Sequence, residues 1–193
     1  MDQCGARAFA HMSRQPSPTL ADTLLAVTAA LRPVDQAGVD AALDELALEL
    51  FTVEPTGQAR AGELATLLVR TFGPDAGTVA DLHVDDVLDA RHGHALLVAA
   101  MAAELGRRAG WMTFVCSSPG SWYTGLRDED RLWLIDPTGD AAEVPTAVRR
   151  HCGHELAFAL LSGLAARSTC PHEVCQVLEL RSQLDVDPGA MLR

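Results

Sequence analysis

The run ALLVAAMAA, residues 95–103, constrains the fold more than any other part of the chain. Nine consecutive apolar residues are too few to cross a bilayer core of roughly 30 Å as a helix. A helix apolar on all sides must therefore be enclosed by other elements of the same fold. A buried central helix over residues 95–109 is the expectation, entered just after Gly93 interrupts the chain. Beyond Gly110 the pattern changes. Residues 111–116 (WMTFVC), 122–126 and 131–135 are short and rich in aromatic or β-branched residues. They read as three strands, the second and third forming a hairpin across the charged turn RDED.

Helical periodicity surrounds this centre. Leu20, Leu24, Val27 and Leu31 share one face of a helix that stops at Pro33. Further helices are expected over 35–51, over 61–72 before the Gly73-Pro74 breaker, and over 84–90. The signal returns over 154–167 and 171–184, with Pro171 suited to a first helical position. Helices, then a small antiparallel sheet, then helices make an α+β protein. Residues 1–17 are polar with scattered Pro and Ser, and a flexible N-terminal segment is expected there. Residues 18–193 then form one domain: a helical subregion (18–83), a core helix with its hairpin sheet (84–140) and C-terminal helices (141–193).

Charge removes several functions. With 15 basic and 26 acidic residues the net charge is −11, which argues against binding nucleic acid or an anionic membrane through a general basic surface. Every basic residue is Arg, so Schiff-base catalysis and a phosphate-loop lysine are excluded. The absence of Lys and Asn, the single Ile at position 135 and the heavy use of Ala read as the codon bias of a GC-rich bacterial genome. The first residues lack the apolar core of a secretory signal, and five cysteines are an odd number; a cytoplasmic location is expected. No cofactor is expected.

Residues 84–110, VDDVLDARHGHALLVAAMAAELGRRAG, precede a strand, then SPGSW, then RLWLIDPTGD. Over these residues the chain resembles the SirB-type transglutaminase-like family, of the transglutaminase/papain-like superfamily. Val87-Leu88, Arg91, Gly93, the helix end Arg107-Arg108-Ala109-Gly110, Pro119-Gly120 and Asp136-Pro137 follow that family's pattern. The likeness is clearest over 84–140 and looser over 35–83. The resemblance implies the transglutaminase-like fold. It also implies a nucleophilic Cys at the N-terminus of the buried helix, where the dipole would lower its pKa, a His from the hairpin and an Asp at its end. Here those positions hold Ala95, Ser121 (or Gly120, if Trp122 is the anchor) and Asp136, and Leu97 and Ala99 stand where the family has small hydroxyl residues. An Asp with no imidazole to orient and no thiol to activate cannot run Cys–His acyl transfer.

The expected function is a catalytically degenerate transglutaminase-like protein that binds a small-molecule ligand or a protein partner through its relict cleft. The alternative is an enzyme of bacterial specialised metabolism, a cyclase, isomerase or hydrolase, that uses acid–base chemistry. Asp136, His94 and Ser121 are its candidate catalytic residues, and His92, Trp122, Tyr123 and Trp133 its candidate ligand-binding residues. A Ser121–His94–Asp136 relay would invert the usual placement of nucleophile and base. Each residue also has a plainer role: helix cap or surface loop for the histidines, a turn before Pro137 for Asp136. Cys116 on its strand reads as a small buried hydrophobe. The clusters His151/Cys152/His154 and Cys170/His172/Cys175 have a zinc-like look, weighed against packing cysteines and exposed histidines; no metal is assigned. Asp81, Asp85, Asp86 and Asp89 fit a helix N-terminus. Arg107-Arg108 and Arg149-Arg150 read as solvated faces.

Overall fold

The computed structural model describes residues 3–144 and 148–184; the last part of the expected C-terminal helical subregion, 185–193, lies outside them. In chain order the elements are α1 (Gln3–Met12), α2 (Leu20–Leu31), α3 (Gln36–Leu48), α4 (Gly57–Thr71), a short 3-10 turn (Ala80–Leu82), α5 (Val84–Ala90) and α6 (Ala95–Arg108). The strands β1 (Met112–Ser118), β2 (Ser121–Asp128), β3 (Arg131–Ile135), β4 (Ala141–Val144) and β5 (Arg149–Arg150) follow, then α7 (Gly153–Arg167) and α8 (Pro171–Ser182). The protein is α+β: among the described residues eight α-helices flank one five-stranded sheet of order β4-β3-β2-β1-β5, antiparallel throughout. Among them, no helix is long and apolar enough to cross a membrane.

Helix α6 is the centre of the packing, as its composition requires. Every residue from Leu96 to Gly106 is buried. Burying Leu96, Leu97, Val98, Met101 and Leu105 is worth about 2 kcal/mol each, a gross contribution comparable to the net stability of a whole domain. The sheet is held to α6 by two threonines. Thr113 Oγ1 donates to the Ala103 carbonyl at 2.5 Å and Thr124 Oγ1 to that of Ala99 at 2.8 Å. The approach is close enough that a Cβ on Gly106 would lie 2.5 Å from Thr113 Cγ2. Small residues along α6 therefore set its distance from β1 and β2.

Two expectations change. The N-terminal segment is not loose: α1 crosses α2 where Gly5 lets the backbones touch, since a Cβ there would stand 1.7 Å from the Ala29 carbonyl oxygen. Phe9 and Met12 are then fully buried. Arg108 is not part of a solvated face. Its guanidinium is bonded to Glu104, Asp40 and Asp44 at 2.9, 2.7 and 2.5 Å, tying α6 to α3 and satisfying the buried Glu104 carboxylate. Asp85 and Asp86 stand in the first turn of α5, as expected, and are also paired with Arg32, just past the end of α2, at 2.6 and 2.7 Å. Strands β4 and β5 flank the sheet on opposite edges and have no counterpart among the three expected strands.

Candidate functional site

A cleft of about 910 Å3 opens where the N-terminus of α6, the β1–β2 turn, the β3–β4 turn and α7 meet. His94 and Ala95 form one wall, Ser117 to Trp122 a second, Asp136 to Thr138 a third, and Phe158, Ala159 and Ser162 of α7 the fourth, with Arg149 between. Trp122, Phe158, Ala95, Ala159 and two prolines make much of the lining apolar. Ala95 offers only a methyl group at the helix terminus.

His94, Ser121, Trp122 and Asp136 are brought together on this cleft. His94 caps α6 in an unusual way, its Nδ1 accepting a hydrogen bond from the Leu96 N–H at 3.1 Å. That bond commits the Nδ1 lone pair, so the neutral ring carries its proton on Nε2. Burial and the nearby Arg167 guanidinium hold the imidazole below its ordinary pKa, which keeps it neutral. His94 is thus placed as a hydrogen-bond donor rather than as a base. Asp136 Oδ1 accepts from the Thr138 N–H at 2.7 Å and from Thr138 Oγ1 at 2.6 Å. This is the side-chain-to-backbone turn that favours Asp before a Pro, so the acid expected to orient an imidazole is bonded within its own loop.

His92, Tyr123 and Trp133, expected to bind a ligand, do not line the cleft. His92 Nδ1 turns to the buried Asp81 carboxylate at 2.7 Å. Tyr123 follows from strand alternation, whereas Trp133 shares the face of Leu126 but lies farther along the sheet. Trp122 and Thr124 face α6, so Tyr123 between them faces the far side of the sheet, beside the Phe114 face that Arg150 covers at 4.0 Å from the ring centroid. Trp133 is buried against the start of α4, where a Cβ on Gly57 would come within 2.6 Å of its Nε1. Cys116 is fully buried, and burial pushes its thiol up to about 12; it is not a nucleophile.

A second group on the cleft has no counterpart in the sequence reading. Ser117, near the end of β1, lies 2.7 Å from His151 Nε2. His151 is held behind it: its backbone N–H donates to the Val115 carbonyl at 2.9 Å, and its ring leans on Trp122 with centroids 4.9 Å apart. On the opposite edge of the ring, Nδ1 faces Glu155 Oε2 at 3.4 Å, longer than a formed hydrogen bond. Glu155 is fixed from two sides. Oε2 accepts from the Cys152 N–H at 3.1 Å as the returning half of the α7 cap, and Oε1 accepts from Arg149 Nη2 at 2.6 Å. Burial opposes its charge, but these bonds outweigh burial and hold the carboxyl below its usual range. His151 is kept neutral chiefly by burial, with Arg149 adding to the effect. Arg149 is therefore a pocket residue with a partner, not part of a solvated face. The signal in the sequence was the Cys152–Glu155 cap spacing, which places His151 one residue before the helix cap; its pairing with Ser117, 34 residues away, needs the sheet.

The two histidine–cysteine clusters do not meet. α7, 15 residues long and so about 22 Å from end to end, separates His151, Cys152 and His154 from Cys170, His172 and Cys175. Among the described residues, no three His, Cys, Asp or Glu side chains are arranged to hold a metal ion. No family model, curated protein or solved structure matches the chain.

Proposed function

We propose that this chain is a small-molecule-binding protein on a transglutaminase-like scaffold, acting in the cytoplasm, in which the cleft is kept and Cys–His acyl transfer is lost. The observation that carries this reading is Ala95 at the N-terminus of the buried helix, on the wall of a cleft of about 910 Å3. That volume suits a drug-sized ligand. Trp122 and Phe158 offer it apolar walls, and the Ser121 hydroxyl a polar anchor. The ligand class that fits is a compact molecule with a flat apolar body and one hydrogen-bond acceptor.

Titration with the apolar dye 1-anilinonaphthalene-8-sulfonate tests this. Saturable binding of one dye per chain, with quenching of tryptophan fluorescence, is expected. Ala159→Trp fills the cleft from α7 and lowers the affinity at least about tenfold, some 1.4 kcal/mol. Dye binding that is absent, or unchanged in A159W, overturns the reading. A second reading, an enzyme in the same cleft, is favoured by one observation only, the contact of Ser117 with His151.

A further inference from the structure

We propose that the cleft contains a serine relay, Ser117–His151–Glu155, that hydrolyses small carboxylic esters. The inference rests on the binding reading, since the substrate must occupy the same cleft. It draws on groups outside the positions where the scaffold's own Cys, His and Asp would stand. Ser117 faces the cleft, and its Oγ is 2.7 Å from His151 Nε2. The far nitrogen faces a carboxylate at 3.4 Å, and contacts of this kind are often loose without substrate. With Nδ1–H directed at Glu155, Nε2 is the acceptor for the Ser117 hydroxyl. Trp122 and the Val115 carbonyl fix the imidazole, while Arg149 and the Cys152 N–H fix the carboxylate. Nucleophile, base and orienting group thus occur in the order that serine acyl transfer requires.

The step balances with water as co-reactant. Ser117 Oγ bonds to the ester carbonyl carbon as its proton passes to His151 Nε2. The C–O bond to the alcohol breaks, and the alkoxide leaves with that proton. Water then attacks the acyl-serine, giving its proton to Nε2, and Ser117 departs with it, releasing the carboxylic acid. The Glu155 carboxylate stays ionised and stabilises the imidazolium in each half, which makes it a positioning residue. Esters are the class chosen because their carbonyl needs less help than an amide.

The experiment uses the full chain with p-nitrophenyl butyrate and, separately, diisopropyl fluorophosphate followed by peptide mass mapping. Turnover above the buffer rate and phosphorylation at Ser117 are expected. Ser117→Ala should lower turnover about 10^3-fold or more, while the exposed Ser182→Ala leaves it unchanged. The rate should rise with pH along an acid limb centred below 6.5, because neutral His151 is the base. Glu155→Gln should move that limb to still lower pH and reduce the plateau, a shift that a merely structural role would not cause. Labelling elsewhere than Ser117, or turnover that survives S117A, overturns the relay. If the naphthalene dye binds but wild type shows neither turnover nor labelling, the relay fails and the binding reading stands. If the dye does not bind, the binding reading is the one that fails.

Discussion

Asp81 shows at the scale of one residue how far the sequence can mislead about an acidic side chain. It begins a run of four acids that suits a helix N-terminus, yet it is fully buried and accepts from the Thr78 N–H at 2.6 Å, Thr78 Oγ1 at 2.9 Å and His92 Nδ1 at 2.7 Å. Burial opposes its charge, but the bonds from Thr78 and His92 win and hold the carboxyl well below the usual range. Its backbone carbonyl also receives the His94 N–H at 2.9 Å, so the loop it anchors sets the cleft wall. Asp81→Ala should cost about 2 kcal/mol in urea unfolding, because it removes three hydrogen bonds to a buried carboxylate and leaves a small void. A loss below about 1 kcal/mol would mean that water enters the cluster and satisfies Thr78 and His92. The same limit explains Tyr123 and Trp133. Composition marks both as strand aromatics, but the face of Tyr123 depends on register with α6, which two threonine hydroxyls decide, and Trp133 shares the α6 side yet is taken up by the start of α4.

Among the elements, periodicity located the helices from α2 to α8 and missed α1, whose apolar stripe is short and opens with a glycine. Gly5, Phe9 and Met12 lie four and three apart, on one face, but only the close approach to α2 makes that face a core. β4 and β5 escape for a different reason: AAEV has little β-propensity, and two residues carry no period. Helix α5 was legible, its ending was not. Arg91 closes α5 in the left-handed region at φ 58°, its N–H bonded to the Val87 carbonyl at 3.0 Å. For a residue with a Cβ that conformation costs roughly 1 kcal/mol relative to Gly. Arg91→Gly should therefore stabilise the protein, raising Tm by about 2–4 °C for a chain of this size. An unchanged or lower Tm would show that the arginine side chain supplies more than its backbone loses.

For the whole molecule, the order of helices, sheet and helices was readable because the ALLVAAMAA run demands a surround and the aromatic segments supply the sheet. The Ser117–His151–Glu155 cluster was not, because it assembles from β1, the lead into α7 and the α7 cap. That assembly also fixes how the fold responds to acid. His83, His94 and His151 all have pKa values below their ordinary 6.5, burial being the main cause, aided by Arg32, Arg167 and Arg149 respectively. Between 6.5 and those lower folded values the unfolded chain binds more protons than the folded one, so stability rises with pH in that window. Their contribution is complete above the ordinary value and is lost as pH falls through the folded values. Asp75, Asp81 and Glu155, lowered by their hydrogen bonds, add a second loss of the same sign below the usual carboxylate range. Acid also reduces the net charge of −11, which relieves self-repulsion and acts in the opposite direction. That opposing effect is long-range and is screened at 0.15 M salt, where the Debye length is about 8 Å, whereas the buried imidazoles are not. The urea midpoint should therefore fall between pH 7.5 and pH 5 in 0.15 M salt, and His151→Gln should flatten the fall by removing one of the three protons. A midpoint that holds or rises over that interval would mean that charge relief outweighs the buried histidines.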